Sequence, residues 1–330
     1  DGQTQTTDQS TVGTGPPTAD ARLPLPMEPS DIQDVAVSGG PPKDGIPSID
    51  DPSFVSAEAA SEWLDPGDPV FGFERGGEVK AYPQLILVLH EICNDVVGGE
   101  PVSVTYCPLT GTAMGFERGE TTFGVSGRLV NNNLIMYDRG TETWWPQVLA
   151  TAVPGPWNED PAIESLQEFR VVWTTWERWS DKHPDTQVLS RETGFARNYD
   201  RDPYGSYNPR KGYYSPEASP MFKSLSDDDR LEPKTVVIGA RTSDGATAFE
   251  KDTLAEAKII EGEIGGIPVL ATYEPELDTG YVYTNPEGAE FSYRDGQVVD
   301  ETDGTHAPDS LPLQPVLAFA RFGHGRGRFP

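Results

Sequence analysis

The sequence predicts a β-rich α+β protein: two related sheet-forming or barrel-like units, each with one short helix, behind an extended N-terminal arm. Three observations lead there. Apolar runs are of strand length and are punctuated by glycine-rich turns, in a chain of 330 residues with 34 Gly and 31 Pro. The stretch from Val70 to Phe116 recurs from Val237 to Tyr283 at a constant offset, 237 − 70 = 167 positions. The opening 38 residues are polar and Pro-rich.

The recurrence is residue by residue. Val70 and Gly72 fall on Val237 and Gly239, Ala81-Tyr82 on Ala248-Phe249, Leu87 on Leu254, Ile92 on Ile259 and Val97 on Ile264. The run Gly98-Gly99-Glu100-Pro101-Val102 falls on Gly265-Gly266-Ile267-Pro268-Val269, followed by Thr105-Tyr106 on Thr272-Tyr273, Pro108 on Pro275 and Phe116 on Tyr283. Each copy reads as strand, short helix, Gly-Gly turn and hairpin, so the sequence is interpreted as an internal duplication whose shared positions are scaffold. The reactive groups differ. His90, Cys93 and Cys107 of the first copy are replaced by Ala257, Ile260 and Glu274 in the second.

Four segments follow: an arm over 1–38, a first unit over 39–190, a long connecting loop over 191–233, and a second, degenerate unit with its tail over 234–330. Within the first, the segment KDGIPSIDDP is expected to clamp the domain surface, and SAEAASEWL to form a short helix. Gln84 to Asn94 is expected to be helical, which places Ile86, His90 and Cys93 on one face. Val102–Tyr106 and Ala113–Arg118 are expected strands around the turn Cys107-Pro108-Leu109-Thr110-Gly111, and FGVSGRL and NLIMYDR continue as strands. Trp173, Trp176 and Trp179 mark a helix that stops before Pro184. The Tyr-, Pro- and Gly-rich loop after residue 190 is expected at the surface.

The net charge is −28, from 53 acidic against 25 basic residues, of which 8 are Lys and 17 Arg. This acidic, lysine-poor balance is that of proteins from extreme halophiles and repels nucleic-acid phosphates. No run approaches the roughly 20 apolar residues that span a bilayer. The polar Thr/Gly-rich stretch from Asp1 to Asp20 resembles the stalk of an exported protein, with a lipid anchor at the mature N-terminus and a cell-surface or extracellular location as the expectation.

Several motifs together carry a family resemblance: Gly39 to Pro52, Ala81-Tyr82-Pro83, His90-Glu91-Ile92 with Asn94-Asp95, Thr105-Tyr106-Cys107-Pro108-Leu109, and Met136-Tyr137-Asp138-Arg139 with Trp145. In these the chain from about Gly39 to Pro184 resembles the family catalogued as domain of unknown function 3179, which implies no established activity. Members commonly carry a second cysteine three positions after the first in the turn, where this chain has Thr110, and an aliphatic residue where it has Cys93. The ending FGHGRGRFP also departs from the Trp/Phe-rich terminus of the family.

Three readings of His90, Cys93 and Cys107 stand side by side. In the first they bind a soft metal, copper or zinc, since thiolate and imidazole suit both. Met114, read first as a core residue, would add a thioether and favour copper, and His324, read first as a solvated tail histidine, would be the remote imidazole. In the second Cys93 and Cys107, the two cysteines of the chain, form a disulfide. Its loop of about 15 residues would contribute about 3 kcal/mol. In the third Cys107 is a nucleophile with His90 as base and Glu91 or Asp95 as the orienting group, as in a Cys–His hydrolase or transferase. His90-Glu91 does not open a zinc-protease helix, because Asn94 stands where the second His is needed. Gly124 to Gly127 lacks the spacing of a nucleophile elbow. A last expectation is self-association into a surface filament, with the arm adding a strand to a neighbour and Arg321, Arg326 and Arg328 meeting its acidic body. The function expected overall is a surface metal-binding protein, with a purely structural filament subunit and a Cys–His enzyme as its alternatives.

Overall fold

The computed structural model describes residues 13–225, 230–301, 304, 306–307, 315–316 and 318–322, with backbone alone from 306 onward. His324, Arg326 and Arg328 lie outside the described residues, as do the first twelve positions of the arm.

The front of the chain forms α1 (Pro29–Val35), β1 (Val37–Ser38), β2 (Phe54–Ser56) and α2 (Ala57–Ala60), the last capped by Ser56. Then come β3 (Pro69–Arg75), β4 (Glu78–Pro83), α3 (Gln84–Leu87), β5 (Ile92–Val97), β6 (Glu100–Cys107) and β7 (Thr112–Glu117). The hairpin β8 (Phe123–Val130) and β9 (Asn133–Asp138) is followed by β10 (Trp144–Pro146), β11 (Glu168–Phe169), β12 (Val172–Thr175), α4 (Trp176–Lys182) and β13 (Gln187–Leu189). A small hairpin, β14 (Gly205–Tyr207) and β15 (Arg210–Gly212), precedes β16 (Val236–Thr242), β17 (Gly245–Glu250), α5 (Lys251–Ala257), β18 (Ile259–Ile264), β19 (Ile267–Glu274) and β20 (Thr279–Thr284). The described chain ends in β21 (Phe291–Arg294), β22 (Gln297–Asp300), β23 (His306–Ala307), β24 (Pro315–Val316) and β25 (Ala318–Phe322).

The strands form several small sheets, none of them a closed barrel, and stack in layers. Strand side chains alternate between faces, so each sheet feeds two cores. The sheet β12-β3-β4-β13-β2 and the sheet β11-β7-β6-β5 enclose one core, with Phe71, Phe73, Tyr82, Cys93, Val104 and Tyr106. The opposite face of β11-β7-β6-β5 packs on the sheet β1-β8-β9-β10 through Ile92, Cys107, Met114, Phe116, Phe123, Leu134 and Met136. The outer faces are covered by Trp176 and Trp179 on one side and by Ile32 with Trp144 on the other. Gly72 has to be glycine here: a Cβ would lie 2.1 Å from the Trp179 ring.

Adding 167 to the bounds of β3, β4, β5, β6 and β7 gives those of β16, β17, β18, β19 and β20. Pairing follows the same offset: Gly72↔Ala81 and Ile92↔Thr105 become Gly239↔Ala248 and Ile259↔Thr272. β12 pairs with β3 as β25 pairs with β16, and β11 with β7 as β24 with β20. Gly98 and Gly99 turn the hairpin at φ 60° and 82°, as Gly265 and Gly266 do at 56° and 85°. Only glycine adopts both without strain.

Three expectations need correction. The helix over Gln84–Asn94 is one turn, ending before Glu91, whose φ of 60° breaks the helix so that Ile92–Val97 becomes a strand. Trp173 is on β12 rather than in the helix with Trp176 and Trp179. The segment after residue 190 is not only surface: Tyr199, Asp202 and Tyr214 are buried in it. The described part of the arm lies along its own chain, where Ala19 N–H donates to Ser165 O at 2.8 Å and Leu23 N–H to Ser165 Oγ at 2.8 Å.

Candidate functional site

Much of the polar patterning around the first unit builds a clamp. Arg139 holds Asp44 (3.1 Å), Asp50 (3.2 Å) and Ser48 (3.0 Å) of the KDGIPSIDDP segment. Tyr137 O–H donates to Asp44 at 2.5 Å. Buried Asn94 donates to Asp50 Oδ1 (2.6 Å) and Phe123 O (2.8 Å), and accepts from Ser103 O–H (2.6 Å) and Phe123 N–H (3.0 Å). On the neighbouring face Lys80 pairs with Asp95 at 2.9 Å, and Tyr82 O–H donates to the same carboxylate at 2.7 Å. Asp95 is therefore a structural ion-pair partner rather than an orienting group for a catalytic base.

His90 is committed in the same way. Its Nδ1 lies 2.7 Å from Pro47 O, which can only accept, so Nδ1 carries the hydrogen and Nε2 accepts from Tyr199 O–H at 2.7 Å. Burial, above all, lowers its pKa and keeps the ring neutral. Neither nitrogen faces a thiol. Cys93 and Cys107 are both free and buried, and they lie on opposite faces of one sheet. Cys93 pairs with Val104, and Cys107 is three positions beyond Val104 on β6, an odd step that reverses the side. The expected trio of His90, Cys93 and Cys107 is thus not brought together, and the expected disulfide is not formed. Among the described residues no group of three or more His, Cys, Asp and Glu is placed to hold a metal. Met114 is a core residue on the Cys107 face.

A different pair, Cys107 and Glu91, is linked by charge. Cys107 ends β6, and its Sγ accepts from the Leu134 N–H at 3.4 Å and from Thr110, while the thiol points to Asn132 O at 3.6 Å. The turn behind it is held by a buried polar lattice. Asn133 donates to Thr110 Oγ1 (3.1 Å) and Gln147 Oε1 (2.9 Å), and Gln147 donates to Thr105 Oγ1 (2.9 Å) and Thr112 O (3.2 Å). Glu91, buried just before β5, acts on Cys107 through its charge. Its left-handed backbone is tied by Glu91 N–H to Leu87 O and Tyr106 N–H to Glu91 O, both at 2.7 Å, a conformation costly for a non-glycine residue. Burial raises its carboxyl to about 8. Burial and then the charge of Glu91 raise the Cys107 thiol, against the Thr110 and Leu134 donors that favour thiolate. Burial, Glu91 and Cys107 in turn raise the Tyr204 phenol.

Residues 204–222 roof the Cys107 turn. Tyr204, Tyr213 and Phe222 pack over the Cys107 core. Tyr213 O–H donates to Leu109 O at 2.9 Å, and Asn132 brackets the Phe222 backbone with bonds of 2.8 and 3.0 Å. In the second unit Lys258 also has a positive φ, 71°, while Glu274, 167 positions after Cys107, pairs with Lys182.

Sequence reasoning named Cys107 and Glu91 but gave Glu91 to His90 as an orienting group and missed Tyr204. No residue pattern marked Glu91 for a left-handed backbone.

Among curated proteins and solved structures none matches this chain. A family model does match, and it runs beyond the first unit through most of the second. Over residues 43–309 the chain belongs to the family described as Protein of unknown function (DUF3179).

Proposed function

We propose that the first unit is a nucleophilic thiol centre, with Cys107 as the attacking group and Glu91 as its proton acceptor. The observation that carries this is a buried thiol with the Leu134 and Thr110 donors aimed at its sulfur, its pKa raised by burial and by the charge of a buried carboxyl, Glu91. Glu91 replaces His90 in the role of base, because both His90 nitrogens are engaged. In the step, the Cys107 proton passes to the Glu91 carboxylate as sulfur bonds to an acyl carbon. The bond to the leaving group breaks, and Glu91 returns the proton to that group. The base form of Glu91 develops as pH passes about 8. A copper or zinc centre at His90, Cys93 and Cys107 would need β5 to turn over, which places it second to the thiol reading.

The second unit is, in this reading, a duplicated scaffold without the chemistry. Matching strand bounds and registers support it, as does the replacement of Glu91 and Cys107 by Lys258 and Glu274.

The test is incubation with p-nitrophenyl acetate. An acetyl group on Cys107, with one equivalent of p-nitrophenolate released and none from Cys107→Ser, is expected. Acetylation that survives Cys107→Ser, or none in the wild type, would overturn the proposal.

A further inference from the structure

Lys80 on β4 and Asp95 on β5 meet across two sheets, since β4 belongs to β12-β3-β4-β13-β2 and β5 to β11-β7-β6-β5. Their side chains are 7% and 6% exposed. Lys80 Nζ lies 3.1 Å from Asp95 Oδ1 and 2.9 Å from Oδ2, which puts the carboxyl carbon between them within its reach. The Phe54 ring, its centroid 4.2 Å from Nζ, forms an apolar wall. Glu78 is farther from Nζ, at 4.0 Å, and half exposed, so Asp95 is the carboxyl this amine faces.

The hydrogen bonds around the pair are those an amide would need. Nζ donates to Val96 O at 2.9 Å, Val96 N–H donates to Asp95 Oδ1 at 2.7 Å, and Tyr82 O–H donates to Oδ2 at 2.7 Å. If Oδ2 leaves, the amide N–H keeps Val96 O as its acceptor and the remaining Oδ1 keeps Val96 N–H as its donor. Two charges held out of water carry a desolvation cost, and an amide carries neither charge. Holding amine and carboxyl in contact also replaces a bimolecular encounter by an intramolecular one. The second unit has no such pair, with Thr247 and Gly262 standing 167 positions after Lys80 and Asp95.

We propose that Lys80 and Asp95 condense into an isopeptide bond that staples the two sheets of the first unit. The ammonium first passes a proton to the carboxylate. The Nζ lone pair then forms a C–N bond to Asp95 Cγ, and the bond from Cγ to Oδ2 breaks. Tyr82 O–H gives the departing oxygen its second proton and recovers one from Nζ. One water leaves, and no oxidant, nucleotide or other co-reactant enters. The bond involves neither Cys107 nor Glu91, so it stands or falls apart from the thiol centre.

The test is mass spectrometry of the full chain, folded and then denatured and reduced, before and after trypsin. The wild type is expected to be one water lighter than its sequence, with the deficit in a tryptic peptide that runs from Gly76 to Arg118 uncut at Lys80. Lys80→Arg keeps the charge pair and is expected at full sequence mass. Tyr82→Phe keeps the ring, loses the proton relay, and is expected to be mostly uncondensed. A wild-type chain of full mass that trypsin cuts after Lys80 would overturn the proposal. A missing water that persists in Lys80→Arg would do the same, and complete condensation in Tyr82→Phe would remove the role given to Tyr82.

Discussion

The carboxyl of Glu91 is held in its neutral form by burial at a pKa of about 8, against an ordinary 4.5. A folded-state value above the unfolded one means that the native protein keeps a proton the unfolded chain has released. Stability from this group is therefore complete below pH 4.5 and falls as pH rises towards 8. Glu91→Gln should match the wild type at pH 4 and exceed it by about 3–5 kcal/mol at pH 9, as an upper estimate from the size of the shift. Denaturant melts at the two pH values read this directly, and a constant difference would contradict it. The two thiols should also part company. Cys93→Ser puts a hydroxyl into an apolar core and should cost about 1–3 kcal/mol. Cys107→Ser should cost less, because the new hydroxyl inherits the Leu134 and Thr110 donors. The opposite faces of Cys93 and Cys107 were legible in the sequence. A two-residue Gly98-Gly99 turn pairs Val97 with Glu100 and hence Cys93 with Val104, which sets Cys107 on the other side. Reading Gln84–Asn94 as one helix hid this, since apolar spacing in so short a run fits helix and strand alike.

Among the elements, β5 carries the most connections through a single side chain. Asn94 joins it to β6, to β8 and to the segment around Asp50 with four hydrogen bonds. Asn94→Ala should lower stability by about 2–4 kcal/mol, because buried partners are left unpaired, and a change below about 0.5 kcal/mol in denaturant melts would show that the clamp is not a support. The expected clamp was visible as Pro-rich sequence at the start of the first unit, and so were β6, β7, β8 and β9. The roof over residues 204–222 was not. Its turn residues and aromatics read as surface loop, and only the distant partners of Tyr199, Asp202 and Tyr214 bury them. Gln84, for example, reaches Asp202 at 2.8 Å across 118 positions.

At the scale of the molecule, basic residues gather where the two units meet. Arg170 donates to Gly280 O at 2.9 Å and lies over the Tyr281 ring, Arg178 caps the carbonyls of Pro275 and Glu276, Lys182 pairs with Glu274, and Arg241 with buried Glu168. The remaining surface is left strongly acidic. Its self-repulsion is screened by salt, so the melting temperature should rise with potassium chloride, whereas a fall would mean that exposed ion pairs outweigh repulsion. Composition made this charge legible, but not the contacts between the units, which depend on how their sheets meet. The central claim is that Cys107 and Glu91 form one reactive pair, and alkylation of native protein by iodoacetamide across pH, read for each cysteine by mass spectrometry, tests it most directly. The account predicts labelling of Cys107 that rises through about pH 8, loses that inflection in Glu91→Gln, and spares Cys93. Equal labelling of both thiols, or a pH profile unchanged in Glu91→Gln, would contradict it.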